Sequence, residues 1–185
     1  LTLRADDILA AVGDVDGLDR ARDRFDLTIE DVTCWTADQA KLKIIRKLGT
    51  KDALKWTWRG RGGGYEGAFG TPDQATAYEL SVVDAAGGRA RITLPPDAQH
   101  WRATPRGWVF KDSTLATGGI RKLSVLTKHA DDALGAKGRG TGLGLASRDP
   151  VPPVRVRLRN SDGACWEVTF ADVDASHGRV TARVP

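Results

Sequence analysis

One stretch of this chain occurs twice, and that repetition limits the fold more than any other feature. Residues 78–94 read Tyr-Glu-Leu-Ser-Val-Val-Asp-Ala-Ala-Gly-Gly-Arg-Ala-Arg-Ile-Thr-Leu. Residues 154–170 read Val-Arg-Val-Arg-Leu-Arg-Asn-Ser-Asp-Gly-Ala-Cys-Trp-Glu-Val-Thr-Phe. The two lie over each other without a gap: Leu80 on Val156, Val82 on Leu158, Gly87 on Gly163, and Ile92-Thr93-Leu94 on Val168-Thr169-Phe170. Each copy alternates apolar with polar residues, turns at a glycine and alternates again. That is the pattern of an antiparallel hairpin with one buried face.

The correspondence reaches beyond the hairpin. Leu123 and Val125 take the places of Leu42 and Ile44, and Asp132-Ala-Leu134 matches Asp52-Ala-Leu54 one residue out of step. Gly138-Arg-Gly140 matches Gly60-Arg-Gly62, Asp149 matches Asp73, and Gly178-Arg-Val180 stands where Gly107-Trp-Val109 stood. Two units follow, 41–112 and 120–184, of about five strands each. Two similar all-β halves close on each other and so protect their edge strands. The expected fold is a pseudo-duplicated antiparallel β-sandwich of about ten strands, jelly-roll or Ig-like, with both repeats in one domain; two separate lobes are the alternative. Ahead of them, 1–40 reads as short helices (5–12 ending at Gly13, then one capped by Asp16 or Gly17) followed by a strand near 27–35.

Charge divides the chain at the same place. Residues 1–40 carry ten acids against four bases, and 41–185 carry 24 bases against 14 acids. The acidic segment is expected to pack on its basic body, and a basic surface also admits polyanions such as nucleic acid or acidic glycans. Nucleic acid is disfavoured as a partner, because the Arg-Gly tract at Gly60-Arg-Gly-Gly-Gly64 reads as a structural turn. No stretch approaches the ~18 apolar residues of a membrane helix, so membrane insertion is not expected. The chain begins at Leu1 and contains no Met, as expected of a processed protein or of a piece of a longer one.

Candidate sites are few. Cys34 and Cys165 are too far apart in sequence for a metal pair; they are either a disulfide, given an oxidising compartment, or two buried thiols. Each precedes a tryptophan (Trp35, Trp166) that would cover the sulfur. Asp14, Asp16 and Asp19 have some look of a calcium loop, but Gly17 breaks the alternation of ligands and the distant bidentate Glu is missing. His100, His129 and His177 each stand alone. Asp73, Asp149, Glu79 and Glu167 are the carboxylates available to a glycan hydrolase. No cofactor motif is present. The tryptophans raise a choice between core, partner interface and sugar platform: Trp56 and Trp58 share a strand face, while Trp101 and Trp108 flank the end of the first repeat. Arg155, Arg157 and Arg159 alternate with apolar residues and share a solvent face, where they either contact partners or keep an edge from aggregating.

Gly107-Trp-Val-Phe-Lys-Asp112, the Lys-Leu-Ser-Val-Leu strand after Arg121, Lys137-Gly-Arg-Gly140 and the Asn-Ser-Asp-Gly-Ala-Cys-Trp-Glu hairpin at 160–167 together resemble a module of bacterial secreted and cell-surface proteins. The resemblance covers about 41–184. It implies an extracytoplasmic location (periplasm, cell surface or secreted) and a non-catalytic role, and it brings no known activity or site residue. The expected function is therefore that of a structural or accessory subunit of an extracytoplasmic assembly, contacting other protein subunits through its acidic arm, its tryptophans and its arginine strand. A carbohydrate-binding module is the first alternative and a glycan-acting hydrolase the second.

Overall fold

The alternating stretches are realised as strands, and each glycine turn closes a hairpin. The computed structural model describes residues 34–47, 51–61, 66–128, 131–145 and 148–185. The expected amino-terminal helices, the candidate calcium loop at Asp14, Asp16 and Asp19, and His129 lie outside the described residues. Thr33–Pro185 forms one compact unit. Its strands are β1 (Trp35–Thr36), β2 (Gln39–Ile45), β3 (Ala53–Gly60), β4 (Tyr78–Asp84), β5 (Arg89–Leu94), β6 (Trp101–Thr104), β7 (Gly107–Lys111), β8 (Ile120–Lys128), β9 (Asp131–Arg139), β10 (Val154–Asn160), β11 (Cys165–Phe170), β12 (Asp174–Ser176) and β13 (Arg179–Val184).

They form two sheets. One runs β1-β11-β10-β4-β5, and the other runs β12-β13-β2-β3-β9-β8-β7-β6. The inner faces of both contribute to one continuous apolar core, so the architecture is an all-β sandwich. Trp56, Trp58, Trp101 and Trp166 are fully buried there with Phe69, Tyr78, Phe110 and Phe170. Two indoles tie the sheets together: Trp58 Nε1 donates to the Glu167 carbonyl at 2.9 Å and Trp166 Nε1 to Asp132 Oδ2 at 3.3 Å.

The strand count exceeds the sequence expectation because of β6 and β12. These are short, largely exposed edge strands with almost no apolar alternation to mark them. With them, each half has three hairpins: β2–β3, β4–β5 and β6–β7, then β8–β9, β10–β11 and β12–β13. Exchanging the two sets leaves the order of the eight-stranded sheet unchanged, read from its other end. It does the same for β11-β10-β4-β5. At the centre of each sheet a residue is paired with the residue its own sequence aligns to: Trp56 with Ala136, and Ser81 with Arg157.

Strand β1 is the departure from this order. It pairs in parallel with the outer edge of β11, Trp35 opposite Trp166 and Thr36 opposite Glu167. Their rings lie 5.3 Å apart. The chain then crosses to the other sheet, and Asp38 N–H bonds the Arg59 carbonyl at 2.9 Å. A Cβ at Gly60 would stand 2.7 Å from the Thr36 carbonyl oxygen, so only glycine lets β1 cross here.

Candidate binding surfaces

Cys34 and Cys165 are joined, with Cα atoms 4.6 Å apart, and the bond fixes β1 to the edge of β11. The tryptophans do not cover the sulfur as the sequence implied. Successive strand residues face opposite ways, so Trp166 points into the core while Cys165 is on the other face.

Three of the four tryptophans considered for contact are removed from solvent: Trp56, Trp58 and Trp101 are each 0–1% exposed. They lie on the inward parity of β3 and β6, where the largest apolar side chains fill the gap between sheets. Trp108 alone among them is half-buried. It lines a groove of about 600 Å³ with Phe69, Thr104, Arg106, Gly107 and Thr127.

The arginine strand is a solvent face, as its alternation indicated, but β10 is not an edge: β11 and β4 flank it. Its basic residues therefore do not act as an edge guard. They interleave with carboxylates instead. Arg157 Nε bonds Glu167 Oε2 at 2.7 Å, and Glu79 Oε1 receives Arg159 Nε at 3.2 Å and Arg91 Nε at 3.5 Å. Two of the hydrolase candidates, Glu79 and Glu167, are thus ion-pair partners on this face, and Asp149 is paired with Arg46. His100 Nδ1 bonds Asp97 at 2.5 Å, an interaction that lowers the Asp97 pKa. His177 occupies a left-handed turn, φ 49°. Among the described residues no three His, Cys, Asp or Glu side chains gather as a metal site.

The buried carboxylates shape turns. Asp84 takes both guanidinium nitrogens of Arg148 (2.7 and 2.9 Å) and the N–H groups of Ala86, Gly88 and Val151. The Arg148 bond, aided by those backbone donors, holds its pKa at about 2 against the cost of burial. Asp112 is fully buried. Burial pushes its pKa up, but donors from Thr114, Leu115 and Thr117 outweigh that and bring it to about 2. Asp132 is the reverse case: burial raises its pKa despite bonds from Trp166 and Thr127.

Two surfaces were not legible in the sequence. The first is the outer edge of β5. The Asp84 N–H to Gly88 carbonyl bond sets the hairpin's alternation, so the backbone groups of Ala90, Ile92 and Leu94 face β4 while those of Arg91 and Thr93 face outward. Exchange of the halves maps this edge onto the edge of β11 that β1 occupies. The segment equivalent to β1 is 112–119, which Asp112 winds into a turn, and no strand pairs with β5 there among the described residues.

The second is on the outer face of the eight-stranded sheet. Lys43 is opposite Lys55, Lys55 opposite Lys137, Lys137 opposite Lys122, and Lys122 opposite Lys111. Five strands thus place five lysines in one row. Each strand shows one such lysine in sequence, but only the register aligns them.

Comparisons with protein-family models, with curated proteins and with solved structures gave no match.

Proposed function

We propose that this chain is a non-catalytic accessory subunit of an extracytoplasmic assembly, and that it receives a strand of a partner protein along the outer edge of β5. One observation carries the reading: the equivalent edge of β11 is filled by β1, whereas the edge of β5 offers the N–H and C=O groups of Arg91 and Thr93 with no strand paired to them among the described residues. An unpaired edge in a sandwich is ordinarily blunted or covered. The Cys34–Cys165 bond fits an oxidising compartment. No helix among the described residues is long and apolar enough to cross a membrane. The invariance of strand order supports reading 41–112 and 120–184 as two copies of one module, with β1 an addition to the first.

The test is the native mass under gentle non-reducing extraction, for the unaltered chain and for Arg91→Pro. Proline at 91 removes an outward N–H without breaking the ladder to β4. The expected result is co-purification of a second protein, with a mass well above 19.9 kDa, and its loss in Arg91→Pro while Arg91→Ala retains it. A free monomer from the native source would overturn the reading. A second reading, carbohydrate binding, rests on the Trp108 groove with its hydroxyl and guanidinium neighbours Thr104, Thr127 and Arg106. It expects glycan binding that Trp108→Ala abolishes.

A further inference from the structure

Like charges placed directly opposite across a sheet destabilise it, and the row Lys43-Lys55-Lys137-Lys122-Lys111 contains four such pairs in succession. None of the five is in an ion pair with another described residue. The other sheet shows the contrast, since its outward Arg91, Arg157 and Arg159 are paired with Glu79 or Glu167. On the lysine face the carboxylates stand at the margins, Asp131 opposite Lys128 and Asp174 opposite Thr181. Exchange of the two halves does not reproduce the row either: Lys55 and Lys137 map onto Gly135 and Thr57. The row is therefore not a by-product of the internal repeat.

We propose that this row binds a linear acidic polysaccharide with one carboxylate per sugar. Neighbouring strands are ~4.8 Å apart, so the five lysines span roughly 19 Å at an interval comparable to the length of one sugar ring. Beside them, on the same face, lies a row of Lys41, Thr57, Gly135 and Ser124, whose hydroxyls suit sugar hydroxyls. A depression of about 290 Å³ opens there, lined by Gln39, Lys41, Thr57, Arg59 and Ala133. No aromatic side chain stands on this face among the described residues, so it lacks the stacking platforms that bind single-stranded nucleic acid. The phosphates of a duplex wind away from a straight row of charges.

The full chain is titrated with polygalacturonate, with the same polymer fully methyl-esterified, and with duplex DNA, over a range of salt. Polygalacturonate is expected to bind with an affinity that falls as salt rises. The methyl ester is expected not to bind. Lys55→Gln with Lys137→Gln is expected to weaken binding by about tenfold or more, whereas Arg155→Gln on the other sheet leaves it unchanged. The lysine double variant is also expected to melt at a higher temperature, since it relieves a like-charge pair. The proposal is overturned by absence of binding, by equal binding of the methyl ester, by tighter binding of duplex DNA, by equal loss in Arg155→Gln, or by a lower melting temperature of the double variant. These readouts do not involve the edge of β5, so the two proposals stand or fall separately.

Discussion

A buried carboxylate is tolerated only where donors surround it, and Asp112 shows what such a group does for the chain. It accepts from three backbone N–H groups and one hydroxyl, and so holds 113–117 as a turn. Asp112→Ala leaves those donors without their acceptor, and an expected loss of about 3 kcal/mol would be read from urea unfolding. The pH dependence has a definite sign. The folded pKa of about 2 lies below the unfolded value of about 4. Its stabilisation is therefore complete above pH ~4 and fades as pH falls through about 2, so the Asp112→Ala difference is expected to shrink over that window. Asp132 has the opposite sign. Its pKa is raised by burial, so the folded state favours the protonated form and loses stability as pH rises through that raised value. Asp132→Asn keeps an oxygen for Trp166 Nε1 and removes the charge. Its melting temperature relative to the unaltered protein is expected to rise from pH 4 to pH 7; a difference independent of pH would contradict the sign. Trp56 illustrates another residue-scale rule. It is paired across the centre of its sheet with its own aligned residue, Ala136, and a large side chain there is matched by a small one.

At the scale of the element, β5 has two unlike edges, and proline tells them apart. The Ala90 N–H faces β4, paired with Val82, while that of Arg91 faces outward. Ala90→Pro is expected to lower stability by about 3 kcal/mol, with Arg91→Pro staying within about 1 kcal/mol of the unaltered chain, by thermal or urea unfolding. Equal losses would mean that the edge of β5 is engaged within the fold. Sequence periodicity served these elements unevenly. The hairpins at 78–94 and 154–170 were legible because strict alternation is a local signal. β6 and β12 were not, since an exposed edge strand has no buried side to alternate with. The inward parity of Trp56 and Trp58 was legible as a shared face, but not as a core face. Which face of a strand is buried depends on the sheet packed against it.

For the whole molecule, the Cys34–Cys165 bond closes a separation of 131 residues, and the chain-entropy model gives such a loop roughly 4–5 kcal/mol of stabilisation. The double variant Cys34→Ser with Cys165→Ser is expected to unfold at lower denaturant concentration by an amount of that order. The loss is expected to be concentrated at β1, whose only strand partner among the described residues is the edge of β11. Faster amide exchange at Trp35 and Thr36 than at β10 in the reduced protein would localise it. What the sequence determined alone is the class of structure: alternation, turn glycines and their repetition require paired strands with one apolar face, hence sheets packed on each other. It also determined the stock of charges and which residues share a strand face. The tertiary structure alone decided which strand lies beside which, and at what register. Alternation relates a residue to its second neighbour along the chain, whereas register relates it to a residue far off in sequence. The row of five lysines, the placing of β5 at the end of its sheet among the described residues, and the meeting of Cys34 with Cys165 all belong to that second kind of relation.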